Sequence, residues 1–167
     1  MSSIKQKIEA AANVAIVLVA ILLGGVLVNK HFFSKATGLA KEIPAGSSVA
    51  LDDVAWAEHN RNVVLVLQKG CRFCTESAPF YQKLAQATAN RKDIKVVAVL
   101  PQNQAEGQAY LKENGISIAD VRQASLDSMG IAGTPTIIIA DRNGKVTNSW
   151  IGKLQTEEET KVLALLQ

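Results

Sequence analysis

Cysteine is scarce in this 167-residue chain: Cys71 and Cys74 are the only two. A pair this close cannot close a large loop, so a disulfide-stapled scaffold is excluded. Histidine is as scarce. Neither His31 nor His59 has a neighbouring partner that suggests nucleophilic catalysis, and no further Cys or His completes a zinc set around the cysteines. A phosphate-binding loop, a dinucleotide-type glycine pattern, repeats and low-complexity tracts are all missing. Gly24-Gly25 lies inside an apolar run and cannot cradle a phosphate. Residues 37–167 hold fourteen Lys/Arg and fourteen Asp/Glu, so no basic excess points to nucleic acid. The formal net charge of +3 belongs to residues 1–36, with four Lys/Arg and one Glu.

What is present first is a long run without charge. Ala10 to Val28 is nineteen residues, and Asn13 is its only strongly polar member. At about 1.5 Å rise per residue it nearly spans a bilayer core of about 30 Å. A buried core helix is the competing reading, but the other elements are much shorter. Lys5 and Lys7 form a basic n-region, and Ser34-Lys35-Ala36 offers a small-x-small cleavage pattern. The run exceeds a cleaved signal's usual length, and Lys30-His31-Phe32-Phe33 is a poor approach to a cleavage site, so a retained signal-anchor is favoured. The expected organisation is an anchor over 1–33, a tether over 34–47 and a domain over 48–167. Lysines on both sides of the run leave its orientation open.

Within the domain, Val63–Leu67 and Lys95–Leu100 read as central strands covered on both faces. Asp52 suggests a cap for a short helix through Glu58. Residues 75–89 predict a long helix with Phe80, Leu84 and Ala87 facing inward, kinked at Pro79. Ala105–Asn114 predicts a helix stopped at Asn114-Gly115. A short strand or irregular segment over Ile116–Val121 follows, then a brief helix from Ser125 to Met129. Thr136–Ala140, the turn Asp141-Arg142-Asn143-Gly144 and Lys145–Ile151 read as a hairpin. Thr156 with Glu159 suggests a capping box for a last helix presenting Val162, Leu163 and Leu166. Strands interleaved with helices, with a late hairpin, give an α/β domain built on a mixed sheet.

Cys71-Arg72-Phe73-Cys74 lies between the first central strand and its helix. That spacing suits a dithiol that opens and closes by exchange. A small structural disulfide and half of a metal site are the bland alternatives.

The order of elements and three local matches resemble the thioredoxin-like superfamily over about residues 48–166. The matches are C-x-x-C after the first strand, Pro79 five residues beyond the second cysteine, and Gly133-Thr134-Pro135-Thr136 before the hairpin. With the amino-terminal run, the chain resembles the membrane-anchored thiol-disulfide oxidoreductases of bacteria. Two positions depart from the pattern. The usual tryptophan before the first cysteine is Gly70, and the position of the buried aspartate of cytosolic thioredoxin is Leu65. A different proton route or redox poise is implied.

The resemblance implies that Cys71 is the attacking thiol and Cys74 the resolving one. A helix start favours a thiolate at Cys71, and Arg72 either adds positive charge or is simply solvated. The resemblance makes Pro135 a cis-proline that sets the Thr134 backbone beside the disulfide to bind substrate. Gly133 would allow close approach, and the alternative is an ordinary turn with Thr134 a spacer. Phe73 is either a tuning residue or an apolar contact for partners. Glu76 is either a proton acceptor for Cys74 or a surface carboxylate in the first helical turn, and Ser77 is a weaker candidate for the same proton. Trp56 and Trp150 read as packing residues.

The expected function is therefore a protein dithiol-disulfide oxidoreductase in the cytoplasmic membrane, its domain facing the periplasm or cell exterior, working as a reductase. No cofactor or metal is expected beyond the Cys71–Cys74 disulfide. The expected partners are protein thiols and disulfides, a membrane electron donor, and the bilayer through residues 10–28. A thioredoxin-like binding module without redox duty and a thiol peroxidase are the rivals.

Overall fold

The computed structural model describes residues 42–167. The anchor over 1–33, its apolar run and the first part of the tether lie outside the described residues. Among the described residues no helix is long and apolar enough to cross a membrane.

Five strands form one mixed sheet in the order β3-β2-β1-β4-β5. They are β1 (Arg61–Val66), β2 (Ile94–Leu100), β3 (Asp120–Gln123), β4 (Thr136–Ala140) and β5 (Val146–Ile151). β1 runs parallel to β2 and antiparallel to β4, and β2 runs parallel to β3. The hairpin β4–β5 adds the antiparallel edge. Its turn is set by Asp141, whose carboxylate accepts from the N–H groups of Asn143 (2.8 Å) and Lys145 (2.9 Å).

Alternation along the strands divides the core in two. Val63, Leu65, Ala98, Leu100, Ile137 and Ile139 face the helices. Those helices are α1 (Arg72–Glu76), α2 (Ala78–Thr88), α3 (Gln104–Glu113) and α4 (Thr156–Leu165). Val64, Val66, Val97, Val99 and Ile138 face the other side, where Met129, Ile131 and Val146 complete a smaller cluster with Val49, Leu51 and Trp56 packed on it. Burial on both faces explains why β1 and β2 read as unbroken apolar runs. Each fully buried Leu, Ile or Val contributes about 1.5–3 kcal/mol, which makes the centre of the sheet the rigid base of the site.

Several boundaries differ from the sequence reading. The long helix over 75–89 is two helices that meet at Ser77. Pro79 sits at the start of α2, where a missing N–H costs least. The kink thus falls before the proline rather than on it. Ala85 and Thr88, not Ala87, share the buried face with Phe80 and Leu84. The helix expected after Asp52 shrinks to a 3-10 turn over Trp56–Glu58 without a side-chain cap. The helix expected over Ser125–Met129 is a turn, held by the Ser125 hydroxyl accepting from Ser128 N–H at 3.1 Å. The capping box of α4 is Gln155 with Glu158, one residue earlier than expected.

Trp56 lies over the hairpin turn. A Cβ at Gly144 would come within 3.1 Å of its indole Nε1, and Gly144 has φ +68°. Replacing Gly144 with Ala is expected to cost about 1–3 kcal/mol, from left-handed backbone and crowding together. Urea unfolding followed by tryptophan fluorescence checks this; an unchanged midpoint would contradict the packing described.

Candidate redox site

The site forms where β1 hands over to α1. Leu67 still bonds the Val99 carbonyl through its N–H (2.9 Å), and the chain then turns. Cys71 N–H donates to the Gln68 carbonyl at 3.1 Å, closing a four-residue turn with Gly70 at φ +82°. A left-handed residue at the third position of a turn favours glycine, which accounts for Gly70.

Cys71 and Cys74 are disulfide-bonded, with Cα atoms 5.3 Å apart. Cys71 is the N-cap of α1, and the Cys74 N–H points at its Sγ at 3.1 Å. In the dithiol state this N–H, with the free N–H groups of the helix start, favours a thiolate on Cys71. The two sulfurs differ in exposure: Cys71 is half-buried, whereas Cys74 is fully buried in the larger core cluster.

The second half of the site comes from the loop before β4. The Thr134–Pro135 bond is cis. The Thr134 carbonyl oxygen lies 3.5 Å from Cys71 Sγ. Pro135 is buried, and its carbonyl accepts from Gly152 N–H at 2.7 Å, while Thr136 enters β4 opposite Val66 and Ile151. A Cβ at Gly133 would meet nothing within 4 Å, and its φ is not left-handed, so the chain's own packing does not require glycine there. Its carbonyl accepts from the Thr136 hydroxyl at 2.7 Å.

Around the disulfide, Phe73 is 52% exposed, the most exposed large hydrophobic side chain of the described residues. Glu76 accepts from Arg72 Nε at 2.6 Å and from Lys153 Nζ at 3.0 Å. These two cations, Lys153 first, hold its carboxyl below the usual carboxylate range. A carboxylate held that way is a weak proton acceptor, which favours the surface reading of Glu76 over the acid-base one. Leu65 is fully buried, and among the described residues no Asp, Glu, Lys, Arg or His is buried. Cys74 therefore has no buried carboxylate to take its proton. The Ser77 hydroxyl, one turn beyond Cys74, is buried without a partner. His59 bonds the Lys92 carbonyl at 2.9 Å, and His31 lies outside the described residues. Trp150 and Trp56 pack against the two core clusters, as expected of packing residues. Among the described residues no group of three His, Cys, Asp or Glu side chains could hold a metal.

Lys153 is the site residue that sequence reasoning missed. It has no motif and no periodicity; only the Gly152–Pro135 bond brings it to the rim.

The five-stranded mixed sheet and the disulfide at the start of α1 define a thioredoxin-like dithiol-disulfide oxidoreductase, whose redox group is the Cys71–Cys74 disulfide itself. The chain belongs to the Redoxin family, whose model matches residues 35–166. No curated protein sequence matches it. Solved structures resemble it in fold. A thioredoxin domain of a thiol-disulfide oxidoreductase from Bacteroides vulgatus is 18% identical with TM-score 0.57, covering 74% of this chain and 98% of that one. StoA from Bacillus subtilis is 15% identical with TM-score 0.55, covering 77% and 98%. A thiol-disulfide isomerase from Corynebacterium glutamicum is 18% identical with TM-score 0.54, covering 77% and 96%.

The difference in burial sets a measurable asymmetry. After reduction, iodoacetamide is expected to modify Cys71 about tenfold or more faster than Cys74, read by peptide mass spectrometry over a time course. Equal rates would contradict the placement of the two sulfurs.

Proposed function

We propose that this chain is a membrane-tethered oxidoreductase of the bacterial cell envelope that reduces disulfides in proteins. The observation that carries the redox part is Cys71: half-buried, capping α1, and facing the Thr134 carbonyl, with Cys74 buried behind it. The tether rests on the uncharged run Ala10–Val28, which as a helix nearly spans a bilayer core. The envelope side rests on the resemblance to anchored bacterial oxidoreductases and on the oxidising compartment where disulfide substrates persist.

The chemistry balances with the residues present. In the dithiol state the Cys71 thiolate attacks one sulfur of a substrate disulfide. The substrate S–S bond breaks, its second sulfur leaves as a thiolate and takes a proton from water, and a mixed disulfide forms on Cys71. Cys74 then gives up its proton and attacks Cys71 Sγ. The Cys71–substrate bond breaks, the substrate leaves with two thiols, and the Cys71–Cys74 disulfide returns. Two electrons have passed to the substrate. A donor dithiol in or at the membrane must supply the next two by the same exchange in reverse.

Thr134 and Pro135 supply backbone for the substrate. The Thr134 carbonyl faces Cys71, and an extended segment passing over Cys71 could pair with this loop through main-chain bonds, giving binding with little sequence selectivity. Phe73 adds an apolar contact beside the reacting sulfur. Gly133 has open space where a side chain would otherwise stand in the path of that segment.

Two measurements test the reading. The full-length chain is expected to reduce insulin disulfides with a thiol donor present. Cys71→Ser should lower turnover by at least about 10³-fold, and Cys74→Ser should accumulate a mixed disulfide with substrate. Wild-type exchange in both variants would refute the enzyme reading, and peroxide consumption without protein disulfide exchange would favour a thiol peroxidase. For the side of the membrane, an impermeant thiol reagent on intact spheroplasts should label reduced Cys71; labelling only after lysis would place the domain in the cytoplasm.

A further inference from the structure

Charged side chains on two separate elements meet beside α1, the helix that Cys71 caps. Arg72 and Glu76 lie on α1, and Lys153 lies in the loop between β5 and α4. Lys153 follows Gly152, whose N–H donates to the Pro135 carbonyl at 2.7 Å. Pro135 follows Thr134, whose carbonyl lies 3.5 Å from Cys71 Sγ. The contacts therefore close a ring from Cys71 along α1 to Glu76, across to Lys153, through Gly152 and Pro135 to Thr134, and back to Cys71. One crossing of the ring is the sulfur–carbonyl contact. The other is an ion pair.

We propose that Glu76 and Lys153 are positioning residues, a charged strut that holds α1 against the 133–135 loop and sets the charge felt by the Cys71 sulfur. The proposal rests on Cys71–Cys74 being a cycling couple. Stability does not account for the pair. The Glu76 and Lys153 side chains are 32% and 43% exposed, and ion pairs so exposed add little to stability. Their charge matters differently for the two redox states. A Cys71 ionised in the dithiol state carries a charge that the disulfide lacks. A unit charge near the sulfur therefore acts on one state only, and about 1.4 kcal/mol of such an effect is a tenfold change in the redox equilibrium.

Other charges in the segments at this end of the sheet are Lys69 in the preceding turn, Arg72, Glu106 in the first turn of α3, Asp127 in the loop before Gly133, and Glu157, Glu158 and Glu159 in the first turn of α4. Glu158 turns back to the Gln155 N–H at 3.2 Å. Among the described residues only the Glu76–Lys153 pair joins α1 to the loop behind Pro135. Removing the Glu76 charge leaves Arg72 and Lys153 unopposed, stabilises the thiolate, and makes the couple a stronger oxidant. Removing the Lys153 charge leaves a carboxylate less opposed and does the reverse. A strut that only held the loop in place would move both variants in the same direction.

The test equilibrates the full-length chain in detergent with reduced and oxidised glutathione and measures the disulfide fraction by alkylation. Glu76→Gln is expected to shift the equilibrium constant at least threefold toward the dithiol, and Lys153→Met at least threefold toward the disulfide. Both shifts should shrink in 1 M KCl, where screening acts within about 3 Å. Shifts of the same sign, or shifts below twofold in both variants, would overturn the charge effect on Cys71, and the proposal with it, while leaving the oxidoreductase reading intact. A wild-type chain that does not exchange with glutathione at all would overturn both.

Discussion

The contact between Cys71 Sγ and the Thr134 carbonyl joins residues 63 positions apart, and the rest of the site depends on it. Antiparallel pairing makes it possible. β1 and β4 are neighbours in the centre of the sheet, with Val66 opposite Thr136. The turn leaving β1 and the loop entering β4 therefore emerge at the same edge. Neither residue would find the other without that register, and a one-residue slip would exchange the side chains packed in one core cluster for those of the other. The two-sided core fixes the register.

The same architecture separates the two cysteines. Cys71 caps a short helix at the surface, and Cys74 falls one turn inward among Leu65, Leu67 and Phe80. A sulfur with neighbouring N–H groups and access to solvent is suited to attack, and a buried sulfur beside it is suited to resolve. Burial also removes ionisable help: Leu65 is fully buried, and among the described residues no Asp, Glu, Lys, Arg or His is buried. The charged side chains flanking the couple, Lys69, Arg72, Glu76 and Lys153 among them, therefore lie at the surface, and the proposed tuning acts through exposed, screened charges.

Much of this was legible in the sequence. The α/β order, the hairpin and the Cys71–Cys74 pair follow from apolar runs, turn residues and one motif. Thr134-Pro135 was found through family resemblance, because a short Gly-Thr-Pro-Thr has no chemistry of its own until β4 brings it to the cysteines. Two kinds of feature were not legible. Helix boundaries near Pro79 and Thr156 moved by one or more residues, since capping depends on which side chain reaches which N–H in three dimensions. Lys153 was invisible because its role comes from a backbone bond between Gly152 and Pro135. Gly70 was read as a departure, and the left-handed turn supplies its physical reason.

The central claim is that Cys71 and Cys74 form a reversible couple on the folded domain. The most direct measurement is a redox titration of the full-length chain in dithiothreitol buffers, with free thiols counted at each potential and tryptophan fluorescence followed in parallel. The account predicts two thiols per chain appearing together, reversibly, with a two-electron slope and a midpoint between about −300 and −100 mV, while the fold stays intact. Thiols that appear only when the domain unfolds would show a structural disulfide and contradict it.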